Sequence, residues 1–187
     1  MKQMSDEIKM KLSMAGVEFA PGLSEEELSA LEVRFGFIFP RTVREFYRAG
    51  LPVGGRFPDW RDDSAENLAK ILRLLDAPLQ GVLFDVEENE FWLDSWGDMP
   101  EDMADRLALC REKMTSAPRL IPLYGHRYCP VVEGMDDPPV LSVMQTDIIF
   151  YGHSLENYWE NEFMRKELLL DEQSVGEIPV WDEIMGR

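Results

Sequence analysis

Few residues in this sequence have the types and spacing that catalysis or metal binding require. Both histidines follow a Tyr-Gly pair, in the tripeptides 124–126 and 151–153, and Cys129 lies three positions after His126. Zinc could be held by His126, Cys129 and His153, but the pattern lacks the second close ligand pair that marks a structural zinc site. Each Tyr-Gly pair falls at the end of a predicted strand, where Gly permits a positive φ and Tyr keeps its hydroxyl in water. The sequence therefore favours structural roles here and predicts no metal site.

A hydrolase is the other catalytic hypothesis. Ser142, Asp147 and His153 could form a triad, but Ser142 lies within a predicted strand and lacks the Gly-x-Ser-x-Gly turn that exposes a nucleophile. Carboxylate pairs such as residues 136–137 are common by chance in an acidic chain, and the sequence holds no glycine-rich phosphate loop. The sequence predicts a protein that is not an enzyme and needs no cofactor, with a hydrolase or metal-dependent activity as the less favoured alternative.

The densest run of charge lies between Asp85 and Asp105, where the chain carries nine carboxylates and no lysine or arginine. Packing like charges this closely costs stability unless a function or a basic partner offsets it. The run is either a solvated face, which is typical of charge runs, or a surface that binds a positively charged partner. We predict partner contacts for six of these carboxylates: Glu87, Glu88, Asp94, Asp98, Glu101 and Asp102.

Aromatic residues are interleaved with these carboxylates. A strand over residues 90–96 would place Trp92, Asp94 and Trp96 on one face and Phe91 and Leu93 on the other. If the tryptophan face is outward, two indoles that flank a carboxylate suit a partner arginine or lysine; if it is inward, they belong to the core. The sequence leaves both interpretations open. The aromatic residues predicted as core or as contacts are Trp92, Trp96, Tyr124 and Tyr151.

The net charge of −17 is unevenly distributed. Residues 1–73 hold twelve acids and eleven bases, whereas residues 74–187 hold twenty-four acids and eight bases. A field of this sign repels nucleic acid and anionic lipid, and it raises the association rate of a basic protein by ~10- to 1,000-fold at low salt. We therefore expect a basic protein partner and exclude nucleic acid and membranes as partners.

The remaining features favour a cytoplasmic globular protein. With 45% hydrophobic residues the chain has enough apolar area to fold, and its longest apolar runs are far shorter than a membrane span of ~20 residues. No segment has the apolar core of a signal peptide. Because no export signal is found, Cys110 and Cys129 are expected to be reduced thiols.

Periodicity and turn residues predict one α+β domain over residues 1–187, with a central antiparallel sheet of about five to six strands flanked by helices. Residues 1–19 are predicted to form a helix (6–14) and a linker, and a second helix is predicted from the Ser24 capping box to Gly36. Pro40 opens a third predicted helix, with Val43, Phe46 and Tyr47 facing inward, and a loop follows over residues 50–63. The next predicted element is a helix capped by Ser64 and stopped near Pro78 and Gly81, with Leu68, Ile71, Leu72 and Leu75 facing inward. A hairpin of strands 82–86 and 90–96 and a helix over 100–114 follow, and then strands over 120–124, 128–132, 140–145 and 148–151, with a turn at 146–147. The last predicted elements are a helix from 155 to about 169 and a loosely structured acidic tail over 170–187.

Several motifs resemble the SUKH superfamily. They are Leu23-Ser24-Glu25-Glu26-Glu27, Phe39-Pro40 followed by a helix ending in Phe46-Tyr47, the run 91–97 (FWLDSWG), the run 120–128 (LIPLYGHRY), and the runs 139–143 and 145–152. In this order they cover most of residues 20–165. The resemblance implies an α+β domain with a central antiparallel sheet flanked by helices, and it offers no catalytic residues. The acidic C-terminal tail is a departure from the family pattern.

The resemblance also implies a function. Many bacterial members are immunity proteins that bind and neutralise toxins of polymorphic or contact-dependent systems, often nucleases, whereas a fungal cell-wall synthesis regulator acts as an interaction scaffold. A nuclease binds phosphate through a basic cleft, which an acidic protein can occlude. The leading hypothesis is therefore an immunity protein for a basic, nuclease-type toxin. A regulatory scaffold without a toxin partner is the alternative, and the oligomeric state is left open.

Overall fold

The computed structural model of the protein describes residues 2–164 and 175–187. Its elements in chain order are α1 (Lys2–Met14), β1 (Glu18–Ala20), α2 (Glu25–Phe35), α3 (Arg41–Ala49), β2 (Leu51–Val53), α4 (Ala65–Glu88), a 3₁₀ turn (Asp94–Trp96), α5 (Met103–Met114), β3 (Leu120–Tyr124), β4 (Arg127–Pro130), β5 (Val140–Met144), β6 (Asp147–Gly152), α6 (Leu155–Met164) and α7 (Trp181–Ile184). The predicted α+β class in a single domain is confirmed.

The start of α2 follows directly from local sequence. The Ser24 hydroxyl accepts a hydrogen bond from the Glu27 amide at 3.2 Å, and the Glu27 carboxylate accepts one from the Ser24 amide at 2.7 Å. These two bonds satisfy backbone donors that a helix start leaves unpaired. Gly36 ends the helix with a φ of 69°, which costs glycine little. The predicted capping box and both ends of this helix are confirmed.

The strands form two antiparallel sheets. The central sheet has four strands in the order β3-β4-β5-β6, and β1 pairs with β2 in a separate sheet. The predicted antiparallel central sheet is confirmed, but it has four strands and not five to six. Strands β1 and β2 lie outside it, largely within segments predicted as a linker and a loop. Strands of three residues carry too little alternation to be recognised from sequence. The turn between β5 and β6 uses residues 145–146 rather than 146–147.

Helix α4 contradicts the prediction most clearly, because it continues through Pro78 to Glu88 and the hairpin of residues 82–86 and 90–96 does not form. Proline has no amide hydrogen, so Pro78 cannot bond the carbonyl of Leu74. The hydroxyl of Tyr128, from β4, donates to that carbonyl at 3.0 Å instead. A side chain distant in sequence therefore supplies the bond that the proline removes.

Two further features of α4 matter for its position. Gly81 passes so close to the β5–β6 turn that a Cβ there would lie 2.8 Å from the Cα of Gln145. Only glycine permits this approach without moving the turn. On the helix, Ile71 is buried as predicted, whereas Leu72, also predicted inward, is 56% exposed. The buried face of α4 is thus narrower than the sequence predicts.

Apolar side chains form two buried clusters, one on each face of the central sheet. The neighbours Tyr128 and Cys129 belong to different clusters, as do Val140 and Leu141, because successive strand residues point to opposite faces. The first cluster joins the sheet to α1, α2, α3 and α6. The second joins it to the C-terminal half of α4, to α5 and to the C-terminal segment.

The C-terminal segment is not the loose tail that the sequence predicts. Four apolar residues between 175 and 184 are buried in the second cluster, namely Val175, Ile178, Trp181 and Ile184. The indole of Trp181 donates to the carbonyl of Pro118 at 2.7 Å. The apolar spacing of these residues indicates their burial, although acidic neighbours obscure it. Residues 165–169 of the predicted last helix and 170–174 of the predicted tail lie outside the described residues.

A candidate acidic interaction surface

The residues first considered for chemistry have structural settings. Cys129 is 1% exposed, and burial raises the pKa of its thiol far above the ordinary value, which keeps it protonated and unreactive. Burial, together with the nearby guanidinium groups of Arg127 and Arg56, lowers the pKa of His126. Ser142 accepts a hydrogen bond from Arg127 at 2.7 Å. Among residues 2–164 and 175–187 no three potential ligands are grouped to hold a metal ion.

The two Tyr-Gly pairs differ from each other. Gly125 has the expected positive φ, at 58°, but Gly152 does not, so that part of the prediction is wrong. Gly152 serves close packing instead, since a Cβ there would lie 2.7 Å from the Cα of Tyr158. Tyr124 packs on Phe57 and Phe163, and Tyr151 stacks under the guanidinium of Arg127 at 3.7 Å. Both tyrosines are half-buried parts of the first cluster rather than members of an exposed site.

The carboxylates of residues 85–105 separate into one buried group and eight exposed ones. The exposed set includes all six residues predicted to contact a partner. We call these six the acidic surface: Glu87, Glu88, Asp94, Asp98, Glu101 and Asp102. They lie on the last turn of α4, the 3₁₀ turn and the segment that leads into α5. No member of the acidic surface forms an ion pair with any residue that the structure describes.

The buried carboxylate, Asp85, fixes the end of α4. It is 4% exposed and accepts hydrogen bonds from the Thr146 amide at 2.8 Å, the Thr146 hydroxyl at 2.6 Å and the Asn89 side chain at 2.6 Å. Burial alone would raise the pKa of Asp85, but these bonds outweigh burial and hold the pKa below its usual range. Its backbone carbonyl also accepts from the amides of Asn89 and Phe91. Asp85 thereby joins the β5–β6 turn to the start of the acidic surface.

Sequence reasoning counted Asp85 as one more member of the acidic run and missed this role. The signal that distinguishes it is its position between Leu83 and Val86, which are buried on α4. An acid inside a buried helical stripe must find hydrogen-bond partners, because an unpaired buried charge is strongly destabilising.

The aromatic residues of this region close the second cluster. Trp96 is 5% exposed, and its ring makes edge-to-face contacts with Trp92 at 5.2 Å and Phe91 at 6.0 Å between centroids. The Trp92 indole donates to the carbonyl of Gly97 at 2.7 Å. Because residues 94–96 form a 3₁₀ turn and not a strand, Trp96 points inward while Asp94 is exposed. The predicted shared face of Trp92, Asp94 and Trp96 is therefore wrong.

The carboxylates of the acidic surface differ in how far the fold explains them. Asp102 caps α5, accepting from the amides of Ala104 at 2.9 Å and Asp105 at 3.2 Å. A negative charge is stabilised at such a helix N-terminus. Glu87 and Glu88 instead lie at the C-terminus of α4, where the helix dipole disfavours a negative charge by ~0.3 to 1 kcal/mol each. Among the described residues, neither carboxylate accepts a hydrogen bond or forms an ion pair.

Arginine is present beside the acidic surface but does not neutralise it. Arg106, the first cation after the run, donates to the backbone carbonyls of Pro100 and Glu101. Its guanidinium therefore holds the segment that enters α5, and it forms no ion pair with the described carboxylates. The exposed charge of the acidic surface remains available to an external cation.

No helix within residues 2–164 and 175–187 is long and apolar enough to cross a membrane. The resemblance to the SUKH superfamily stays a prediction that rests on the motifs of the sequence. Comparisons of this chain with family models, with curated proteins and with solved structures find no match.

Proposed function

We propose that this protein is an immunity protein that binds and neutralises a cognate, basic, nuclease-type toxin domain without catalysis. The observation that carries the proposal is the acidic surface, six exposed carboxylates that no described cation neutralises. Natural folds place like charges at this density at a cost in stability, and two of these carboxylates stand at the wrong end of a helix. A basic partner offsets both costs on binding.

The acidic surface has a preformed support. Asp85 accepts a hydrogen bond from the Thr146 amide and so links the end of α4 to the β5–β6 turn, and Trp92 packs on Trp96 beneath residues 94–98. Asp102 caps the first turn of α5, and Arg106 donates to the carbonyl of Pro100. A surface whose supporting side chains are already bonded loses little conformational freedom on binding, which favours affinity. The supports therefore present charge in one arrangement to the partner.

The partner's chemistry follows from this charge. A nuclease that binds phosphate carries lysine and arginine in its cleft, and carboxylates that occupy those groups exclude the nucleic acid substrate. Complementary fields also speed the encounter, by ~10- to 1,000-fold at low salt. The proposal places the protein in the cytoplasm, where it would meet a toxin before the toxin reaches nucleic acid.

The test uses charge reversal with a matched control. The surface variant combines Glu87→Lys, Glu88→Lys, Asp94→Lys and Asp98→Lys, and the control combines Glu66→Lys, Glu112→Lys, Asp147→Lys and Glu177→Lys, which are exposed elsewhere. Both change the net charge equally. Each is coexpressed with a basic toxin domain encoded by a neighbouring gene, and cell survival and affinity are measured.

We expect the surface variant to lose protection and to bind at least about a hundredfold more weakly, and the control to protect the cells. Equal protection by both variants would show that the acidic surface is not the binding site. Tight binding of a basic cellular protein, with no toxin that the protein neutralises, would replace the proposal by a regulatory scaffold.

A further inference from the structure

The structure contains a groove, away from the acidic surface, that no sequence motif indicates. It lies between the middle of α4, the end of α2, the connection from α5 to β3, and α7, and has a volume of about 580 Å³. Ligand-binding clefts in proteins commonly measure ~300 to 1,000 Å³. We call it the α4 groove. It follows the seam where the two apolar clusters meet, since Phe35 belongs to the first cluster and Met114 to the second.

The floor and one wall of the α4 groove are apolar. Phe35, Met114 and Trp181 are each less than a tenth exposed, and they lie beside the half-buried Leu75 and Leu79. Leu72 also lines the groove and is 56% exposed. Apolar side chains left at an open groove gain free energy when another apolar surface covers them.

The groove is lined by more arginines than carboxylates, although the chain as a whole is acidic. Arg34 and Arg119 line it, and Asp76 is its one described carboxylate. Arg34 pairs with Asp63, whereas Arg119 donates to the Phe35 carbonyl at 2.7 Å and forms no ion pair with the described residues. In a chain of net charge −17, two guanidinium groups beside an apolar groove form an unusual setting. A guanidinium with free donors binds a carboxylate through paired, charge-assisted hydrogen bonds.

We propose that the α4 groove binds an amphipathic segment of a partner protein, with apolar side chains against Leu72, Leu79 and Trp181 and a carboxylate on Arg119. Arg119 selects this occupant, because its guanidinium has no ion pair among the described residues and would repel a basic segment. A second copy of this chain would be opposed by a net charge of −17 on each molecule. A helix laid in a groove is a common mode of such recognition. The site is independent of the acidic surface, whose partner is basic.

The test uses two labelled peptides with leucine at helical spacing, one with glutamate between the leucines and one with lysine in their place. We expect the glutamate peptide alone to bind, measured by fluorescence anisotropy. Binding should also shift the indole N–H resonance of Trp181, which lies in the groove, and leave that of Trp159 unchanged, because the rings that contact Trp159 do not line the groove.

Two variants and a control locate the binding. Arg119→Glu and Leu72→Lys should each weaken the glutamate peptide about tenfold or more. Ile149→Lys changes a residue of similar exposure, 54%, outside the groove, and should leave the affinity within about twofold. Thermal melting checks that each variant folds.

Three results would overturn the proposal. They are absence of binding by the glutamate peptide, equal binding of both peptides, and a concentration-dependent dimer of the unmodified chain that Leu72→Lys abolishes. The last result would make a second copy the occupant of the groove.

Discussion

Several acids of the first 73 residues and the acids of the acidic surface are placed in opposite electrostatic settings. In the first region Arg44 pairs with Glu25 and Glu32 at 2.6 Å each, and Arg61 pairs with Glu27 at 2.8 Å. Acids and bases there nearly balance, twelve against eleven. In the acidic surface no carboxylate has a described cation as a partner. The same residue types thus stabilise the fold in one region and are left unneutralised in the other.

The comparison teaches where function should be sought. Paired acids are explained by the contacts they make, so they need no further role. Unpaired acids that repel one another, and that lie at the C-terminus of a helix, are not explained by contacts within the fold, so an external partner is best sought there. Substitutions in the two regions should therefore have opposite effects on stability.

The largest loss of stability is expected for Asp85→Ala, which removes the one buried carboxylate of the acidic run. The change removes a buried acceptor and leaves the half-buried Thr146 amide and hydroxyl without their partner, so it should lower the free energy of unfolding by about 3 kcal/mol. Urea denaturation measures it. The control Asp98→Ala, an exposed acid of the same run, should change stability by no more than about 0.5 kcal/mol. Equal effects would mean that Asp85 has no special role.

A smaller loss is expected for Arg44→Ala in the paired region. Arg44 is half-buried and bonds both Glu25 and Glu32, so its removal leaves the carboxylate of Glu32, only 14% exposed, without its cation. We expect a loss of about 1 to 2 kcal/mol in the free energy of unfolding, measured by denaturant titration. Arg73→Ala, an exposed arginine on α4, is the control and should be near neutral.

The pairing of Glu27 should appear in the pH dependence of stability. Hydrogen bonds from Arg61 and from the Ser24 amide lower the pKa of Glu27 to about 2. Its stabilisation is therefore complete above the unfolded-state pKa of about 4.3 and is lost as the pH falls toward 2. Glu27→Gln retains the capping box but loses the ion pair.

Stability curves of the wild type and Glu27→Gln measure this contribution. The two proteins should differ by about 1 kcal/mol near pH 6, a modest value because the pair is exposed to solvent screening, and should converge near pH 2. A difference that stays constant between pH 6 and pH 2 would contradict the assignment.

The sequence predicted the features that depend on contacts between sequence neighbours and missed those that depend on residues far apart in the chain. The capping box of α2 and the apolar stripe of α3 are local signals, and both were predicted correctly. The exposure of the acidic surface also follows from composition. The continuation of α4 past Pro78 depends on a hydroxyl from Tyr128, fifty residues away, which no local pattern reveals.

The candidate site was predictable in composition but not in geometry. Predicting a strand over residues 90–96 put Trp92, Asp94 and Trp96 on one face, whereas the 3₁₀ turn separates them. The alternation of aromatic and polar residues suggested a strand, but it has another cause. Phe91, Trp92 and Trp96 pack in the second cluster with residues of α5 and the C-terminal segment. The role of Asp85 depends on Thr146, so it too required the fold.

The smallest effect tests the comparison most directly, because its sign is opposite to that of the others. Replacing Glu87 and Glu88 by glutamine removes two negative charges from the C-terminus of α4 and should raise the free energy of unfolding by about 0.5 kcal/mol. The same change at Glu25 and Glu26, in the first turn of α2, should lower it. Thermal melting at low salt measures both changes, and screening at 1 M salt should reduce each of them.

This pair of variants also connects stability with the proposed function. If Glu87 and Glu88 serve binding, glutamine at both positions makes the free protein more stable and the complex weaker. A loss of stability in the Glu87 and Glu88 variant would mean that the fold itself needs these carboxylates. The acidic surface would then resemble the paired region, and its unneutralised charge would cease to be an argument for a basic partner.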